Sequence, residues 1–113
     1  MKIVLMKIKK VMKSIITKSF MRESKGNYIS NMVPLRSAKA IIKDGHQLVI
    51  TEFNCGLDIS LDITDRIENN QIFKSLKDED HFVNDLEVYN YSVEWDDLDQ
   101  IDAYDIWKNG ELI

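Results

Sequence analysis

Three features of the sequence predict an α+β protein in which a basic helix precedes a small antiparallel domain. Residues 1–20 place Val4, Leu5, Ile8, Val11, Met12, Ile15 and Ile16 on one arc at helical spacing. Asp44-Gly45, a two-residue hairpin signal, lies between two apolar runs. Leu57, Ile59, Leu61 and Ile63 alternate strictly with Asp58, Ser60, Asp62 and Thr64, the period of a strand with one buried face.

In the N-terminal helix, Lys2, Lys9, Lys10 and Lys13 fall opposite the apolar arc, with Lys7 and Lys18 at its margin. Ile3 and Met6 interrupt the pattern, and the β-branched residues lower the helix propensity. The arc is wide enough to pack against a sheet. Residues 22–31 carry turn chemistry and are expected to form a linker.

From Met32 the texture changes to short strands. Residues 38–43 run into the Asp44-Gly45 turn and return through residues 48–53. Asn54-Cys55-Gly56 makes a second turn before the alternating strand, giving a three-stranded antiparallel meander. Asp65 is a candidate cap for a short turn that points Ile67 inward, and Asp78 is a plausible N-cap for a helix through Val83. Residues 86–89 and 92–95 extend the sheet as two short strands around Asn90-Tyr91. A last helical turn, capped by Asp102, runs to Trp107 and stops at Asn109-Gly110.

Composition and charge narrow the function classes. Of the 113 residues, 44% are hydrophobic and 30% charged, a soluble globular composition. No apolar run reaches the roughly 18 residues of a membrane span, and lysines break the N-terminus before a signal-peptide core forms. The single cysteine, Cys55, excludes an internal disulfide and a cysteine zinc cluster, and one free thiol suits the cytoplasm. The net charge of −4 divides unevenly: eight basic residues face one acid in residues 1–31, whereas seven face eighteen in residues 32–113. An acidic body of that kind is a poor partner for nucleic acid unless the basic arm makes the contact.

Nothing in the motifs points to catalysis. There is no glycine-rich phosphate loop, Gly-x-Ser-x-Gly or His-Glu-x-x-His, and Cys55 has no activating histidine at a recognisable spacing. Neither His46 nor His81 has a metal partner at ligand spacing, so no metal or cofactor is expected. Glu94, Asp96, Asp97, Asp99, Asp102 and Asp105 form the densest charge cluster. As a calcium loop from Asp97 they would need Gly and Glu at the sixth and twelfth positions, where Asp102 and Lys108 stand. A solvated acidic rim is the plain alternative. Trp95 is expected in the core, and Trp107, beside the acids, is either core or an interface anchor.

The order of residues from about 32 to 108 resembles the bacterial domain-of-unknown-function family numbered 2442. The resemblance rests on Met32-Val33-Pro34, Phe53 and Gly56, Asp62-Ile63, Phe73, Leu76, Asp78 and Phe82, then Val93, Trp95 and Asp99. It departs where the family usually has Pro and Gly after the tryptophan and this chain has Asp96 and Asp97. It implies a small α+β protein of the kind often encoded beside a second small protein, and hence a toxin–antitoxin candidate. Met32 reads as a natural start, which leaves residues 1–31 either a genuine appendage or an upstream extension.

The leading expectation is a cytoplasmic, non-enzymatic, antitoxin-like interaction module. Its acidic C-terminal surface, with Asp96, Asp97, Asp99 and Trp107, would bind a partner protein such as a small basic toxin. One alternative is a nucleic-acid-associated regulator contacting its target through residues 1–20. The other is an acidic inhibitor of a nucleoprotein complex. The basic helix also has the makings of a membrane-surface helix.

Overall fold

The computed structural model describes residues 2–23, 33–96 and 99–113. Two antiparallel sheets and four helices make up the described part, an α+β fold. Helix α1 spans Lys2–Glu23, three residues past the expected end. The linker predicted at 22–31 otherwise lies outside the described residues.

The meander is present. Strands β1 (Leu35–Lys43), β2 (His46–Phe53) and β3 (Asp58–Asp62) pair in sequence order. Asp44 and Gly45 both take positive φ, 52° and 81°, the geometry whose twist lets a two-residue turn join right-twisted strands. Val49, Thr51 and Phe53 of β2 face the core, where Val49 lies opposite Leu61 and Thr51 opposite Ile59. Thr51 is buried without penalty because its hydroxyl donates to the Ile59 carbonyl at 2.9 Å.

After β3 the chain forms α2 (Thr64–Asn69), a 3₁₀ stretch (Gln71–Lys77) and α3 (Glu79–Asn84). Ile67, Phe73, Leu76 and Phe82 are their buried residues. Asp78 caps α3 as expected, accepting from the amides of Asp80 and His81. Asp65 does not cap α2. Ile63 stands at the cap position with no side-chain cap bond, while Asp62 accepts from both the amide and the hydroxyl of Thr64, the first helical residue, at 3.0 and 2.6 Å.

Strands β4 (Glu87–Val88), β5 (Ser92–Glu94) and β6 (Ile101–Asp102) form the second sheet. Helix α4 (Ala103–Asn109) follows, with Asp102 at its cap position but making no side-chain cap bond. A two-residue strand β7 (Glu111–Leu112) returns to pair with β3 and completes a four-stranded sheet. Gly110 ends α4 in ordinary extended backbone, not with a positive φ. Its role is close approach: a Cβ there would collide with Ile59 Cγ2 and stand 2.7 Å from the Ile106 carbonyl oxygen. Arg66 ties α2 to α4 through a two-pronged ion pair with Asp105 at 2.6 and 2.8 Å.

Candidate functional site

Two surfaces stand out, one at each end of the charge division. The first contains the predicted acidic residues. Trp95 lies in the core, stacked on Phe82 and donating its indole N–H to the Phe82 carbonyl at 2.7 Å. This fixes the chain entering the Asp96–Asp99 loop. Asp99 turns inward and is 1% exposed. Its Oδ1 accepts from the amides of Trp95 and Asp96, so the carboxylate ties Asp99 to the end of β5. Asp96 is exposed, and Asp97 lies outside the described residues. Asp105 is committed to Arg66, which holds its carboxyl below the usual carboxylate range.

His81 joins this end together. Its side chain is 22% exposed, with Asp85 Oδ2 2.7 Å from Nδ1 and Asp96 Oδ2 3.0 Å from Nε2. Carboxylates at both ring nitrogens favour the doubly protonated ring. The pKa of His81 is raised accordingly, by Asp85 first and then Asp96, while His81 lowers that of Asp96. The Ser75 hydroxyl lies 3.1 Å from both Asp96 Oδ2 and Asp99 Oδ2. Among the described residues, His81, Asp96 and Asp99 are the ones that could hold a divalent cation, with ligand atoms within 4.8 Å of one another. Their present partners are each other, Ser75, Asp85 and backbone amides. Sequence spacing missed this cluster because His81 and Asp96 meet only through the packing of α3 against the loop after β5.

The second surface is α1, where the structure reverses an expectation. The apolar arc does not pack on the sheet. The helix meets the body through its other side, where Met6, Lys9, Lys13 and Thr17 are partly covered. Lys9 Nζ donates to the Ile113 carbonyl at 3.0 Å, and Lys13 Nζ lies 5.9 Å from the ring centre of Trp107. The Trp107 indole N–H donates to Thr17 Oγ1 at 2.7 Å, and that hydroxyl donates to the Lys13 carbonyl at 2.7 Å. Burial lowers the pKa of Lys13.

The reason for the reversal lies in what the body offers. Its core is closed by α4 and β7, leaving an indole N–H, an aromatic face and the Ile113 carbonyl. A hydroxyl and two ammoniums satisfy those groups; aliphatic side chains would not. Trp107 is consequently 1% exposed, packed edge-on against Phe53 at 5.0 Å, and serves as the seat of α1. Two of the four predicted contact residues, Asp99 and Trp107, therefore point inward.

The outward face of α1 holds Val4, Leu5, Ile8, Val11, Met12 and Ile15, each between 38% and 62% exposed. Ile16, at the edge of the arc, reaches the core cluster. A groove of about 440 Å³ runs beside the helix, lined by Met6, Lys10, Lys13, Gly110, Glu111 and Leu112. No described helix is long and apolar enough to cross a membrane. Compared with protein-family models, curated proteins and solved structures, the chain matches none.

Proposed function

We propose that this protein is a small non-catalytic docking module whose recognition element is the outward face of α1. The observation that carries this reading is the orientation of the helix. Six large apolar side chains are held in water while the polar side of the same helix is used to seat it. Contiguous exposed apolar surface on a soluble protein marks an interaction site. Both histidines are engaged by carboxylates, His46 by Asp62, and His81 by Asp85 and Asp96.

The antitoxin-like reading, with a protein partner on the acidic C-terminal surface, retains Asp96 as its exposed described contact. Its support is the negative charge of that surface and the family resemblance of residues 32–108. The two readings separate in one experiment. The full chain, the Ile8→Ser/Ile15→Ser variant and the Asp96→Lys variant are compared for partner capture, with thermal unfolding as the folding control. Loss of capture in the α1 variant alone supports the docking helix. Loss confined to Asp96→Lys transfers the function to the acidic surface.

A further inference from the structure

We infer that the occupant of the α1 face is an anionic phospholipid surface, on which the helix lies in the interfacial plane with the acidic body held away from the lipid. This rests on the reading of α1 as the docking element and names what it docks to.

The charges beside the face point to an anionic surface. Residues 4–18 contain five lysines and no acid. Lys7 stands three residues after Val4 and four before Val11, and Lys18 three after Ile15, so both line one long edge of the apolar face. Lys7, Lys10 and Lys18 are exposed. Lysines along the edge of an aliphatic face can place their stems on the apolar side and their ammoniums at the headgroups.

The chemistry of the face favours lipid over a protein groove. From residue 4 to 15 it runs for about 17 Å along the helix and covers roughly 120° of its circumference. Its described side chains are all aliphatic, or methionine. Protein interfaces gain most of their specificity from buried Trp, Tyr and Arg anchors with polar partners, and this face has none of these. Fluid acyl chains need no such anchors.

A second copy of the chain is a poorer occupant. Pairing two α1 faces would bring lysine edges together with no acid in residues 4–18 of either helix to offset them. Orientation favours lipid as well. Lys9, Lys13 and Thr17 hold the body on the polar side of the helix, so a surface contacted by the apolar face lies a helix diameter from the acidic domain. At about 10 Å, that distance is comparable with the screening length at physiological salt.

The test is flotation of the purified full chain with large unilamellar vesicles of phosphatidylcholine and phosphatidylglycerol (3:1), against pure phosphatidylcholine. The expected result is recovery with the anionic vesicles and loss on neutral ones. Lys7→Glu/Lys18→Glu should weaken binding roughly tenfold or more, and Ile8→Glu/Ile15→Glu should abolish it, with circular dichroism and melting checking that each variant folds. No flotation with anionic vesicles, or flotation indifferent to both variants, overturns the inference. Light scattering on the same samples then separates the two levels. Self-association, or capture of a protein, that Ile8→Glu/Ile15→Glu removes would retain α1 as the docking element with an occupant other than lipid. Vesicle binding, self-association and capture all unaffected by that variant would overturn both readings.

Discussion

Helix α1 and the β2–β3 pair are built from similar aliphatic residues and use them in opposite ways. In the strands the apolar side goes inward, and Val49, Phe53, Ile59 and Leu61 are buried against the α4 side of the sheet together with the hydrogen-bonded Thr51. In α1 the polar side goes inward, onto Trp107 and the chain end, and the aliphatic side faces solvent. Amphipathicity tells where the two faces of an element are, not which one the body receives. The receiving surface decides, and here it is an indole edge and a carbonyl.

The most direct way to break this comparison is to truncate one isoleucine in each region. Ile59→Ala removes a fully buried side chain beside Gly110 and should cost about 2–5 kcal/mol in urea unfolding. Ile8→Ala, on an exposed face, should stay within about 0.5 kcal/mol of the parent. A loss at Ile8 as large as that at Ile59 would mean that the outward face of α1 is covered in the isolated protein.

The second effect falls where the two regions meet. Gly110 separates α4 from β7 directly behind the seat of α1, and its neighbours are Ile59 Cγ2 and two backbone carbonyls. Backbone cannot rotate aside as a side-chain end can. Gly110→Ala should therefore destabilise by about 1–3 kcal/mol, the usual range for overpacking, and should loosen α1 as β7 shifts. A melting curve gives the first, and the near-ultraviolet signal of Trp107 gives the second. An unchanged melt would show that the β3–β7 junction can spread at no cost.

How much of this was legible in the sequence depended on how local the signal was. Strict alternation from Leu57 to Ile63 identifies β3, Asp44-Gly45 the β1–β2 hairpin, and Asp78 the start of α3, because each is set by neighbours in the chain. Strands β6 and β7 were missed because Ile101-Asp102 and Glu111-Leu112 directly flank a helical pattern and have no strand-like run of their own. The inward turn of Asp99 was missed because an acid bonded to backbone amides reads like any surface acid until the loop around it is folded. The linking of His81 to Asp96 was hidden for the same reason, being made by packing between segments fifteen residues apart. Gly110 was correctly placed as a helix stop, though for a different cause: the nearness of β3, which no local pattern encodes. The outward face of α1 was legible as a face, but its direction was not.

The smallest expected effect sharpens the contrast between the two charged ends. Lys7, Lys10 and Lys18 are exposed, whereas at the acidic end Asp85 and Asp96 meet at His81 and favour its protonated ring. Because Asp85 and Asp96 raise its pKa, the folded protein binds that proton more tightly than the unfolded chain does. The sign follows: this stabilisation is complete below the unfolded value of about 6.5 and disappears as pH rises through the higher folded value. Urea unfolding from about pH 6 to 9 should show stability falling with pH in the parent, with that component of the slope absent in His81→Gln. The imidazole resonances of His81, followed by NMR, should titrate above the ordinary histidine range and return toward it in Asp85→Asn. Equal slopes in parent and variant would mean that Asp99, through its bonds to the amides of Trp95 and Asp96, holds the loop without help from His81. The acidic end would then be fixed by a buried carboxylate alone, and its exposed charge would be as unspent as that of α1.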